Sequence, residues 1–162
     1  MIIERAKRIL SKPVLKKEPI TADHLQNVVD KIGSDRAHLP NVRICAMLLV
    51  GYAGFLRYSE IDNLKMCKIK KFDTYVSLNI ETGKTDVYRR GNNVIISKTN
   101  LPTCPVVWLL TYINLAKLAL DSNQYVFRSV RFFKSINSYK LAEVNRPLSY
   151  TRARELLLGT LT

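Results

Sequence analysis

Apolar positions in the first third of the chain fall at helical spacing. Leu25, Val28, Val29 and Ile32 recur at i, i+3, i+4 and i+7, behind Thr21, a good N-cap, and ahead of Gly33, a helix stop. The spacing predicts an amphipathic helix there, with His24 solvated beside its first turn and His38 in the loop that follows. Asn41 to Gly51 is apolar around most of its circumference, which predicts a helix central to the core. A short helix is expected from Glu60 to Met66, capped by Ser59, with Glu60 in its first turn where the helix dipole favours an anion.

The period then changes. Val76, Leu78 and Ile80 alternate with Tyr75, Ser77 and Asn79, so Thr74 to Glu81 reads as a half-buried strand. Cys67 to Phe72 and Asn93 to Lys98 are candidate partners for it. Between the last two strands Gly83 and Gly91-Asn92 signal turns, and Lys84, Arg89 and Arg90 crowd the tip. That tip is either a solvated loop or a basic hairpin reaching for a phosphate backbone. Pro102 and Pro105 introduce a helix with Val106, Leu109, Leu110, Ile113 and Leu118 on one stripe and Trp108 and Tyr112 as core and rim residues. Tyr125 to Phe127 reads as a turn of packed chain. From Ser129 to Arg146 no regular element is predicted; Arg131, Lys134, Lys140 and Arg146 interleave with Phe132, Phe133 and Tyr139, a pattern compatible with DNA contact. Ser149 caps a last helix, Tyr150 to Leu158, carrying Arg152 and Arg154. The fold class expected is mixed α+β, mostly α, a helical bundle with a small three-stranded antiparallel sheet against one side.

Charge narrows the partners. The 162 residues hold 26 Lys and Arg against 13 Asp and Glu, a net +13, and 47 % of positions are hydrophobic. A chain of this length buries a real core, and its surplus of cations points to nucleic acid or an anionic surface. No apolar run approaches the ~20 residues of a membrane span, so double-stranded DNA is the partner expected and a membrane is not. Residues 1–19 form a basic arm or linker around Pro13, which is either functional or a mere edge; a preceding domain is one implication. Cys45, Cys67 and Cys104 are odd in number and share no metal-ligand spacing with the two histidines. No metal and no cofactor is assigned. Reduced cysteines suit an intracellular protein, in the nucleus if eukaryotic and otherwise the cytoplasm.

The turn from Gly51 to Glu60 concentrates these signals. A buried helix runs into two glycines and delivers one cation, Arg57, followed by Ser59-Glu60. A planar guanidinium suits a phosphate; the plainer reading is an Arg57–Glu60 pair on one helical face. Gly54-x-x-Arg57-x-Ser59-Glu60, with Leu64 after it, resembles the first catalytic box of the tyrosine recombinases, the phage-integrase family. The approach through Pro19-Ile20-Thr21 and two helices is similar too, and so is the small sheet whose hairpin carries a lysine in that family, matched here by Lys84. Lys84 to Gly91 and Leu148 to Arg152 look more like recombinases of animal mobile elements. The resemblance spans Lys12 to Leu161 and makes 20–162 a partial, C-terminally incomplete catalytic domain.

What the resemblance implies is DNA strand exchange through a phosphotyrosine link. Arg57 clamps the phosphate, Glu60 orients it, and Lys84 serves as general acid. Arg57, Lys84, Arg89, Arg90 and Arg152 contact DNA, and the complete protein works as a homo-tetramer. The family's His-x-x-Arg box and nucleophilic tyrosine have no match, since His24 and His38 both precede Arg57 and neither has Arg at the third following position. The chain is therefore expected to bind DNA without cutting it, as part of a larger recombinase or, alternatively, as a domesticated non-catalytic DNA-binding module.

Overall fold

The computed structural model describes residues 19–81 and 91–161, with side chains to Thr160. Among the described residues five α-helices and two small antiparallel sheets share one apolar core. Helix α1, Ala22–Ile32, buries Leu25, Val28 and Val29 as its spacing requires. The Thr21 hydroxyl accepts the His24 amide at 3.4 Å, and His24 Nδ1 accepts the Thr21 amide at 3.2 Å. His24 is thus a capping residue rather than a merely solvated one. Helix α2, Leu39–Ala53, is buried at Leu39 and at every position from Val42 to Val50, including Arg43.

Helix α3 is shorter and earlier than expected. It runs Tyr58–Asp62 with Arg57, not Ser59, at the N-cap. The stretch expected to continue the helix is pulled away by long-range bonds: Met66 N–H to Gln124 C=O at 3.0 Å, Cys67 N–H to Ser122 C=O at 2.9 Å and Val126 N–H to Leu64 C=O at 2.9 Å. Met66–Lys68 forms one 3-10 turn instead, and strand β1, Ile69–Lys71, is correspondingly short. Strand β2, Tyr75–Ile80, is central between β1 and β3, Asn92–Ser97. Val76 faces Ile96 and Leu78 faces Val94 across the ladder, so one register buries the apolar face of both strands.

Helix α4, Pro105–Leu115, ends before Leu118, which was expected on its stripe. Lys117 takes φ +51°, and Leu118 N–H returns to Ile113 C=O at 3.1 Å, so Leu118 stays buried by folding back rather than by continuing the helix. Trp108 and Tyr112 are both fully buried, the first donating to Pro102 C=O and the second to Val126 C=O, each at 2.8 Å. The expected turn at Tyr125 to Phe127 supplies two of the deepest side chains, Val126 and Phe127.

The largest difference lies in the stretch given no regular element. Strands β4, Val130–Phe133, and β5, Ser138–Leu141, pair as a hairpin closed by a 3-10 turn and by Asn137 in the left-handed region. The doublet Phe132-Phe133 breaks strict alternation, which hid the strand. Phe132 sits opposite Tyr139 with ring centroids 5.0 Å apart, and the Tyr139 ring meets His38 edge-on at 4.9 Å. Helix α5, Tyr150–Leu161, closes the chain with Ser149 Oγ accepting the Arg152 amide at 3.4 Å, as the capping reading anticipates.

Gly33 is held by packing rather than by backbone conformation. A Cβ there would stand 2.4 Å from Val29 O and 2.8 Å from the Trp108 ring, which is itself locked by its bond to Pro102. Gly33→Ala is expected to lower stability by about 1–3 kcal/mol, measured as a reduced urea midpoint with an unchanged slope.

Candidate nucleic-acid interface

Helix α2 stops through its own backbone. Leu56 N–H bonds to Gly51 C=O at 2.9 Å and Phe55 N–H to Tyr52 C=O at 3.2 Å, the paired bonds of a Schellman motif. The residue such a motif holds in the left-handed region is usually glycine; here it is Phe55, at φ +50°. Sequence reasoning placed the turn on its glycines and missed Phe55. Gly54 is needed for close approach instead, since a Cβ would lie 3.0 Å from Leu56 Cγ and 3.1 Å from Val50 O. Phe55 is 93 % exposed, with neither packing nor backbone preference to explain a bulky ring.

Two residues on, Arg57 is extended and opens α3. Glu60 Oε2 accepts the Arg57 amide at 2.7 Å, and Glu60 Oε1 stands 3.8 Å from Arg57 Nη1. A guanidinium has no acceptor, so the returning half of the capping box is the half that forms. Glu60 is nearly buried at 11 % side-chain exposure while Arg57 keeps 52 %. Arg57 is already hydrated and needs no anion to offset burial, and its long contact with Glu60 contributes little stability. One carboxylate restrains both its backbone and its head group.

Arg57 and Glu60 line a cleft of about 240 Å³ with Phe55 and Leu56, faced by Ile80, Asn92 and Val94 of the sheet. Ile80 and Asn92 are cross-strand partners and form the last described pair of the β2–β3 ladder. Lys84, Arg89 and Arg90 lie outside the described residues. A second cleft of about 120 Å³ shares Glu60 and Ile80 and adds Lys65 and Lys68. Lys65 Nζ stands over the Tyr125 ring at 5.3 Å, and Lys68 pairs with Glu81, a bond that raises the lysine pKa and lowers the carboxylate's.

Arg152 does not line either cleft. It is exposed on α5 and paired with Glu155 at 3.0 Å. The start of α5 is nevertheless tied to α3: the Tyr58 hydroxyl donates to Leu148 C=O, and its ring meets Tyr150 at 5.3 Å. Burial pushes the Tyr58 phenol up to about 12, with Asp62 adding to the shift and Arg43 opposing it, so at neutral pH it is a donor. Among the described residues no group of three or more His, Cys, Asp or Glu could hold a metal ion, and no helix is long and apolar enough to cross a membrane. Neither protein-family models nor curated proteins give a match to this chain.

Replacing Phe55 with glycine removes the left-handed penalty while sacrificing almost no buried area. Phe55→Gly is expected to raise stability by about 1 kcal/mol, read from urea denaturation. Phe55→Ala, which keeps a Cβ in the same conformation, should stay within about 0.5 kcal/mol of the parent.

Proposed function

We propose that this chain is the DNA-contacting portion of a tyrosine-recombinase-type catalytic domain. Arg57 clamps a backbone phosphate, Glu60 orients that clamp, and Lys84 is the proton donor of the complete enzyme. The observation that carries the reading is the setting of Arg57. Its backbone is fixed at the end of a buried helix, its head group stays half-exposed, and its cleft is walled by Ile80 and Asn92, the cross-strand pair between which Lys84 falls in sequence.

The chemistry follows from charge. A phosphate under attack gathers negative charge on its non-bridging oxygens, and a pre-placed guanidinium stabilises that charge with two parallel hydrogen bonds. Glu60 keeps the fork from wandering, so less orientational freedom is lost when the phosphate arrives. A lysine beside the departing 5′-oxygen supplies its proton. Without the His-x-x-Arg box and the tyrosine nucleophile, the 162 residues supply binding and one half of the clamp but no covalent step.

Binding to a duplex is expected to be weak and salt-dependent. With about four phosphates contacted, affinity falls roughly a hundredfold between 50 and 200 mM salt, measured by fluorescence anisotropy on a labelled oligonucleotide. Arg57→Ala and Lys84→Ala should each reduce the slope of log affinity against log salt by about 1, without abolishing binding. Affinity indifferent to salt would refute the reading.

A further inference from the structure

A second cation system, Arg43 and Arg128, has no role in this reading. Arg43 and Arg128 are both more than nine-tenths buried, at 4 % and 7 % exposure. Arg43 Nη1 donates to Arg128 C=O at 2.7 Å, which spends one of its five donors; the Nε of each arginine has no hydrogen-bond partner. Burial lowers the Arg43 pKa. Among the described residues no carboxylate comes within ion-pair distance of either. A buried guanidinium without an anion is costly to keep, and Arg128 differs from Arg43 in bordering open space.

That space is a cleft of about 430 Å³ between the end of α4 and the β4–β5 hairpin. Arg128, Lys117 and Lys140 line it, together with an apolar wall that includes Leu39, Leu115 and Leu141. Its size lies in the range of small-molecule sites, which join a mostly apolar wall to a few convergent polar groups. The left-handed backbone of Lys117 and the ladder position of Lys140 opposite Arg131 set where each side chain leaves the main chain, and both residues are exposed. Glu143 lies on the same rim without an ion pair to any of the three cations, and the carbonyl end of α4 faces the cleft. Both set a limit on negative charge, so the arrangement suits one anionic group and disfavours a polyanion such as a nucleic-acid backbone.

We propose that this cleft binds a small organic acid, its carboxylate or phosphate held by Arg128, Lys117 and Lys140 and its apolar body laid against Leu115 and Leu141. Arg128 supplies the planar fork that matches two oxygens at once, and the lysines act as point charges at the mouth. The site does not depend on the proposed DNA contact, since it shares no lining residue with the Arg57 cleft.

Phenyl phosphate is the probe, titrated into the whole 162-residue chain at constant ionic strength and followed by amide chemical shifts. Saturable shifts clustered at Ala116, Lys117, Leu141 and Ala142 are expected, with inorganic phosphate binding more weakly because it lacks the apolar body. Affinity should fall at least tenfold in Arg128→Met and in the double variant Lys117→Gln with Lys140→Gln, which leaves the core intact should the first misfold. Unchanged affinity in the double variant, equal affinity for inorganic phosphate, or shifts at these amides on adding duplex DNA instead of phenyl phosphate would overturn the assignment.

Discussion

The amide of Leu56 reaches back 2.9 Å to the carbonyl of Gly51, and that closure sets where the buried helix gives way to the cationic turn. Everything around the Arg57 cleft is referred to it. It forces Phe55 into the left-handed region and outward, brings Gly54 within packing distance of Val94, and hands Arg57 an extended backbone whose amide only Glu60 satisfies. The closure is affordable because α2 is anchored through its middle, buried at every position from Val42 to Val50. A helix with one apolar face could rotate or slide to relieve a strained phenylalanine; one held around its circumference resists that. The rigidity of the core is thus converted into the placement of one exposed cation.

The +13 chain manages its charge by two different devices. Arg57 and Arg152 stay in water with a carboxylate three residues away, where pairing costs little and orients the side chain. Arg43 and Arg128 are drawn into the interior, where a backbone carbonyl is the one acceptor used and each Nε is left over. Exposed pairs leave the field outside the protein available to an anionic polymer. Buried, unneutralised arginines concentrate it at a point. Arg57 and Arg128 therefore sit in two different settings, lining clefts that share no residue.

The hairpin β4–β5 shows how context decides the meaning of an aromatic-and-basic sequence. Phe132 and Tyr139 share the face that carries Val130 and Leu141 into the core, and Tyr139 is occupied by His38. Arg131 and Lys140 stand opposite each other, a like-charged pair that a two-stranded ribbon tolerates because both residues are exposed, and Lys140 also borders the Arg128 cleft.

Much of the architecture was legible residue by residue. Thr21, the 3.6-residue spacing of Leu25 to Ile32 and Gly33 define α1 to within a residue, and the alternation from Val76 to Ile80 defines β2, because burial of one face imposes its period on the sequence. The place of Arg57 just after a buried helix could be read from the sequence, though its exposure could not. Other features answer to partners far along the chain: α3 stops at Asp62 because Ser122, Gln124 and Val126 claim the next backbone groups, and Leu118 is buried by a turn rather than a stripe. Phe55 and Lys117, two of the four described non-glycine residues at left-handed φ, and the two unneutralised arginines leave no local signature, since nothing in their neighbours' identities distinguishes them from ordinary side chains. Local periodicity determined which segments are helix and strand, the β4–β5 hairpin excepted; long-range hydrogen bonding and packing decided where each one ends, and the candidate sites lie at those ends.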